Sequence, residues 1–308
     1  MYYILILYHI INKKYMNMDK GPKMDREPSR EQVTNEAPFT VYYLRHGESS
    51  EDKNDPLRGL TDKGKEEVRE AIRKAAGEIK NKEAQIRLYG SGSERTRQQC
   101  IVAAEILKEN GFTNITIDSN SLPEKEATFS PDGVKFERVL DDKEKETAQQ
   151  KLVETMGLTI EGPGIAKRIA ELKASKDYKN QIRALEKETG TPAVIHWLMD
   201  RHLPEGTESA PQKAAVVEKA IEITNRWAQH MKSVGSKPII AFTFGHSSAL
   251  TSYGLKAFEK DADPDQIKEF GEVENAEGLK VSFSGNAGSK PEIKPFGKVI
   301  EQKAGQKE

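Results

Sequence analysis

Arg45 and His46 stand side by side in this chain, and two further clusters of reactive groups lie far from them in sequence, at Ser91-Gly92-Ser93-Glu94-Arg95-Thr96 and at Gly245-His246-Ser247-Ser248. If these clusters meet, two arginines and two histidines share one spot, and their mutual repulsion calls for an anion between them. Phosphate is the obvious one, because guanidinium groups match its oxygens in bidentate fashion and stay charged at any working pH. A neutral imidazole in such a cage can attack phosphorus in line and form a covalent phosphohistidine. The remaining cationic groups would then stabilise charge on the equatorial oxygens in the transition state.

The elements around these clusters supply the means of bringing them together. Thr40-Val41-Tyr42-Tyr43-Leu44, Ile86-Arg87-Leu88-Tyr89 and Ile239-Ile240-Ala241-Phe242-Thr243-Phe244 each read as a buried strand, and each runs directly into one cluster. In open parallel sheets, ligands bind just beyond the carboxyl ends of the strands. Thr61 and Asp62 open a helix with Val68, Ile72, Ala75 and Ile79 on one face, and Cys100, Ala103, Ala104 and Leu107 mark a second helix. A short third strand is expected at Ile115–Ile117. The alternation of strand and helix predicts an α/β fold, a mostly parallel sheet flanked by helices on both faces. Residues 134 to 205 are heavily charged and helix-forming, with the face Ile165, Ile169, Leu172, and are expected to form a helical insertion. A long helix with Val217, Ile221, Thr224, Trp227 and Met231 on one side precedes the last central strand. The tail is expected to add strands at Lys280–Phe283 and Lys298–Glu301.

Leu44-Arg45-His46-Gly47-Glu48 resembles the signature of the histidine phosphatase superfamily, the phosphoglycerate mutase-like enzymes. Ser91-x-x-x-Arg95-Thr96 is similar to the family's second motif, Phe244-Gly245-His246 to its third, and Leu60-Thr61-x-x-Gly64 to the opening of its first helix. Together these cover less than half of the chain. The resemblance implies His46 as nucleophile, with Arg45, Arg95 and His246 holding the phosphoryl group, and Ser91 and Arg58 as further substrate contacts. It also implies a glutamate proton donor shortly after the third strand. Glu124 in Leu122-Pro123-Glu124 fits that pattern, with Glu126 as the rival. The aspartate that some members carry after the second histidine is replaced here by Ser247. The chain lacks the Arg-Tyr substrate segment of the mutase members, which favours a phosphatase over a mutase. Family members build a lid where the charged insertion falls, and Arg201 and His202 are the residues there that could reach a substrate. The expected reaction needs no metal and no cofactor. A non-catalytic, phosphate-binding member of the fold would be marked by loss of the nucleophile, and His46 is present.

Other chemistries lack their parts. Gly245-His246-Ser247-Ser248-Ala249 after a strand has the look of a hydrolase nucleophile elbow, but that arrangement needs a later histidine and His246 is the last one. Neither a His-Glu-x-x-His zinc motif nor a glycine-rich nucleotide loop ending in Gly-Lys-Ser/Thr occurs. Lys plus Arg, 48, nearly cancel Asp plus Glu, 49, so no basic excess exists to collect nucleic acid or anionic lipid. The expected partner is a small phosphorylated molecule, and the sequence carries no sign of oligomeric state. The single Cys100 excludes a disulfide within the chain and fits a reducing, cytoplasmic setting. Residues 1–38 read as an extension, apolar over 2–11 and then polar and disordered, ahead of a phosphatase domain over 39–303. Ten apolar residues are too few to cross a hydrocarbon core, which takes about 20 in a helix, and Met16, Met18 and Met24 are alternative starts.

Overall fold

The computed structural model describes residues 38–50, 58–90, 93–117, 178–189, 209–234, 237–260 and 263–305, with single helical positions between 143 and 199. All belong to the unit Glu36–Glu308. The apolar run 2–11, the polar lead-in up to residue 37, and the face Ile165, Ile169, Leu172 lie outside the described residues.

Strand β1 is Phe39–Arg45, and its apolar run is continuous because both of its faces are covered. Phe39, Val41 and Tyr43 point into one core, Tyr42 and Leu44 into the other. Helix α1 (Asp62–Glu78), strand β2 (Gln85–Gly90), helix α2 (Glu94–Glu109) and strand β3 (Ile115–Ile117) follow. After α3 (Tyr178–Thr189) and α4 (Ala210–Ser233) come β4 (Ile239–Gly245), α5 (Ser247–Ala257) and α6 (Pro264–Phe270). The tail is β5 (Gly278–Phe283), β6 (Glu292–Phe296) and α7 (Lys298–Gly305).

The six strands form one sheet in the order β3-β2-β4-β1-β5-β6. The pairings β2–β3, β2–β4 and β1–β4 are parallel, while β1–β5 and β5–β6 are antiparallel. The expected α/β architecture is therefore present, with the parallel part confined to the half of the sheet that carries the reactive motifs. On one face α1 contributes Val68, Ile72, Ala75 and Ala76, and α2 contributes Cys100, Ala103, Ala104 and Leu107, against Tyr42, Leu44, Ile86, Leu88, Phe242 and Phe244. Tyr42 and Phe242 stack there with centroids 4.8 Å apart. On the other face α4, α5 and α6 cover Val41, Tyr43, Ala241 and Val281. Each fully buried Leu, Ile, Val or Phe contributes about 1.5–3 kcal/mol, so the sheet is a stiff platform. Burial pushes the Cys100 thiol up to about 12, the state of an inert core group.

Two expectations need correction. Trp227 does not lie in the core: it is 37% exposed, and the buried face of α4 continues from Val217, Ile221 and Thr224 to Ala228 instead. Lys298–Glu301 is not a strand but the start of α7, and the sixth strand lies just before it, at Glu292–Phe296. The cause of the helix is distant in sequence. The Glu277 carboxylate accepts the backbone N–H groups of Val299 (2.8 Å) and Ile300 (3.0 Å), satisfying donors that a helix start leaves unpaired. Pro295 is tolerated in β6 because this strand is at the sheet edge. Among the described residues no helix is long and apolar enough to cross a membrane.

Candidate active site

The register of the sheet determines which side chains meet. Arg45 pairs with Gly245 across β1–β4, and Gly90 pairs with Phe244 across β2–β4, so the motifs following β1, β2 and β4 leave the same edge side by side. The β1 ladder is prolonged by one bond, from the His46 N–H to the Gly245 carbonyl at 2.9 Å. Arg45 N–H donates to the Glu277 carbonyl (2.8 Å), and Gln99 on α2 donates from Nε2 to the Arg45 carbonyl (3.4 Å). The Arg45-His46 backbone is thus pinned from β4, α2 and the segment before β5.

Gly47 and Gly64 account for the spacing of two of the motifs. A Cβ on Gly47 would collide with the Gly64 carbonyl, and one on Gly64 with the Glu48 carbonyl. The chain leaving His46 lies directly on the first turn of α1, with no room for a side chain between them. Thr61 fastens this crossing. Its N–H donates to the Glu48 carbonyl (3.0 Å), and its hydroxyl donates to the Glu48 carboxylate (2.9 Å) while capping the Gly64 N–H (3.0 Å). The Glu48 N–H in turn donates to Glu67 Oε2 at 2.8 Å.

His46 and His246 face each other edge to face, with ring centroids 5.1 Å apart. Nδ1 of His46 lies 2.7 Å from the Gly47 carbonyl, which can only accept. Nδ1 therefore carries the hydrogen, and Nε2 keeps its lone pair. Burial drives the pKa of this imidazole down to about 3. The Gly47 hydrogen bond works against that, and His246, Arg95 and Arg45 lower it further. His46 is neutral at pH 7.

Arg95 stands in the first turn of α2 and is only 9% exposed. Its Nη2 lies 3.2 Å from Nδ1 and 3.3 Å from Nε2 of His246, so the guanidinium rests along the imidazole. Ser93 and Thr96 brace this turn, the Thr96 hydroxyl donating to the Ser93 carbonyl at 2.9 Å. His246 itself is the N-cap of α5, so the positive end of that helix's dipole begins beside it. Arg45 donates from Nη1 to the Val273 carbonyl (2.6 Å) and pairs with Glu272 (3.1 Å).

His46, Arg95 and His246 are thus in direct contact, and Arg45 is near enough to depress the His46 pKa. Arg58 is exposed at a positive φ of 48°, with Nε 3.5 Å from the Ser50 carbonyl. Ser91, Glu124 and Glu126 lie outside the described residues, as do Arg201 and His202. Reading the motifs alone missed Glu272, Val273 and Gln99, which hold Arg45 from elements that no local spacing connects to it. Among the described residues no group of three or more His, Cys, Asp and Glu side chains could hold a metal ion.

The neutral state of His46 has a cost at low pH. The folded pKa is depressed below the unfolded value of about 6.5, so between roughly pH 6.5 and 3 the unfolded chain binds a proton that the folded chain does not. Stability should fall as pH falls through that window, by up to about 1.4 kcal/mol per unit for this group. His46→Asn removes the titration. Urea denaturation at pH 7 and pH 4.5 should show the parent losing about 2–3 kcal/mol more than the variant over this interval. Equal losses would mean that His46 is not held neutral by the fold.

No family model and no curated protein matches the chain. Among solved structures it is similar to a mycobacterial glucosyl-3-phosphoglycerate phosphatase, at 12% identity over 83% of this chain and 97% of that one, with a TM-score of 0.41. It is also similar to a phosphoglycerate mutase from Bacillus anthracis str. Sterne, at 14% identity over 88% of this chain and 98% of that one, TM-score 0.42. A phytase of Klebsiella sp ASR1 has 10% identity over 80% and 77% of the two chains, TM-score 0.34. Identities this low leave the roles of individual residues to be argued from geometry.

Proposed function

We propose that this chain is a histidine phosphatase of the phosphoglycerate mutase-like kind, which hydrolyses phosphate monoesters through a phosphohistidine on His46 without a metal. The observation that carries the reading is the neutral imidazole of His46. Its Nδ1 is committed to Gly47, and it sits 5.1 Å from His246 within a group that includes two arginines. A lone pair on Nε2 is what attack on phosphorus requires, and cations around it are what the pentacoordinate oxygens require.

In the first step Nε2 forms a bond to phosphorus as the ester P–O bond breaks, and the leaving oxygen takes a proton from a general acid. Arg45, Arg95 and His246 bind the phosphoryl oxygens throughout. Water then attacks the phosphohistidine, the electron pair of the N–P bond returns to Nε2, and the water's proton restores the acid. Glu124 is the proposed acid, with Glu126 as its rival, and Ser91 and Arg58 are proposed substrate contacts. The domain is proposed to span 39–303, with residues 134–205 inserted over the pocket. The substrate is proposed to be a small phosphorylated molecule in the cytoplasm, with no role for nucleic acid or membrane. Hydrolysis is preferred to mutase chemistry because the chain has no Arg-Tyr substrate segment.

The direct test is hydrolysis of p-nitrophenyl phosphate. Turnover should survive excess EDTA and be inhibited by vanadate, which mimics the five-coordinate phosphoryl group. Complete inhibition by EDTA, reversed by added metal, would overturn the mechanism.

A further inference from the structure

Arg45 is held along one edge of its guanidinium. Nη1 meets both the Val273 carbonyl at 2.6 Å and Glu272 Oε1 at 3.1 Å. The opposite edge is different: Nε is buried, and among the described residues it has no hydrogen-bond partner. A guanidinium has five donors in a rigid planar fork, so fixing Nη1 also fixes where the Nε edge points.

The anchor itself is immobilised. Val273 is buried, and its N–H donates to the hydroxyl of Thr251 at 3.0 Å. Thr251 is fully buried in α5, the helix capped by His246. Just beyond, the Ala276 N–H points to the His46 carbonyl at 3.4 Å, and the Glu277 carbonyl accepts the Arg45 N–H. One short segment, 272–277, therefore touches Arg45 and His46 while tied to the helix that begins at His246. Of its contacts with the Arg45 side chain, only that of Glu272 adds a charge, and the Glu272 side chain is 27% exposed against 19% for Arg45.

We propose that Glu272 is a positioning residue, which with the Val273 carbonyl clamps the Nη1 edge of Arg45 so that the Nε edge is presented as a preformed fork to a tetrahedral oxyanion. The proposal rests on the phosphatase reading for the identity of the anion. Glu272 is itself negative and repels a phosphate dianion. Its benefit is orientation: a guanidinium already aimed does not have to be ordered when the ligand arrives.

A double-mutant cycle distinguishes aim from mere packing. The affinity for inorganic phosphate, by titration calorimetry, and kcat/KM with p-nitrophenyl phosphate are measured for the parent, Glu272→Ala, Arg45→Ala and the pair. Glu272→Ala should weaken both by about tenfold or more in the parent, and by less than about twofold once Arg45 is gone. Glu272→Gln keeps an oxygen that can accept from Nη1, so it should stay within about threefold of the parent. It also serves if the alanine variant does not fold. Equal losses in both backgrounds, no loss in the parent, or a glutamine variant as weak as alanine would each overturn the proposal. A parent that binds phosphate without hydrolysing the ester would sink the phosphatase reading while the binding cycle still decides on Glu272. A parent that binds no phosphate would sink both.

Discussion

His46→Asn is expected to lower kcat on any phosphate monoester by about 10⁴-fold or more, and to leave no phosphoryl group on the protein. Quenching the parent during turnover of labelled substrate should trap label that is lost in acid and kept in base, the behaviour of a phosphoramidate. The geometry makes the expectation specific to one atom. Nδ1 of His46 is committed to the Gly47 carbonyl, so the adduct should form on Nε2. The rival nucleophile, at the position a hydrolase elbow would use, is Ser247, directly after His246. A phosphoserine is stable in acid, so acid-stable label mapped to Ser247 would transfer the nucleophilic role there. Stability should be read in parallel, because at low pH removing the half-buried imidazole ought to make the fold more resistant, not less.

Glu124→Gln should separate substrates by the basicity of their leaving groups. Breaking the P–O bond of an alkyl phosphate produces a strongly basic alkoxide, so a positioned acid contributes about 10²–10⁴-fold. p-Nitrophenolate is far less basic and gains little from protonation. The variant should therefore slow phosphoenzyme formation by about 10²-fold or more with an alkyl phosphate and only slightly with p-nitrophenyl phosphate. Single-turnover rates are required, because the same carboxylate is proposed to act on water in the second step, where its loss would slow both substrates alike. Glu126→Gln is the control. Equal losses with both substrates, or a selective loss in the Glu126 variant alone, would remove Glu124 from the acid role and leave the His46 chemistry untouched.

The central strands were legible because β1 and β4 are covered on both faces and carry long apolar runs, while β2 alternates the buried Ile86 and Leu88 with the partly buried Gln85 and Arg87. The rule that such strands deliver their ligands at one edge predicts that these motifs leave the sheet side by side, and in the structure the His46 ring faces His246, which touches Arg95. What could not be read had long-range causes. Lys298-Val299-Ile300-Glu301 has the β-branched look of a strand, yet it is helical because Glu277 accepts its amides. Glu292–Phe296 is masked by Pro295, which only its edge position allows. Trp227 fits an apolar stripe at helical spacing, but the smaller Ala228 takes the place against the sheet. The partners of the Arg45 side chain come from more than two hundred residues away, and no motif spacing encodes Glu272.

The adjacency of β1 and β4 has a consequence for how this molecule can change. One step across a sheet is about 4.8 Å, close to the 5.1 Å between the two imidazoles that follow these strands. The sheet acts as the ruler for the reaction, and the long stretch of chain between the histidines is not needed to keep their distance. Changes of length within 134–205 that spare its core positions, such as Ile195 and Leu198, are therefore expected to leave the gap between the two imidazoles unchanged. On the proposed reading, in which this insertion lies over the pocket, substrate choice and bond cleavage are separately heritable traits: a transplanted insertion is expected to change which ester enters while the His46 imidazole stays where the strands put it.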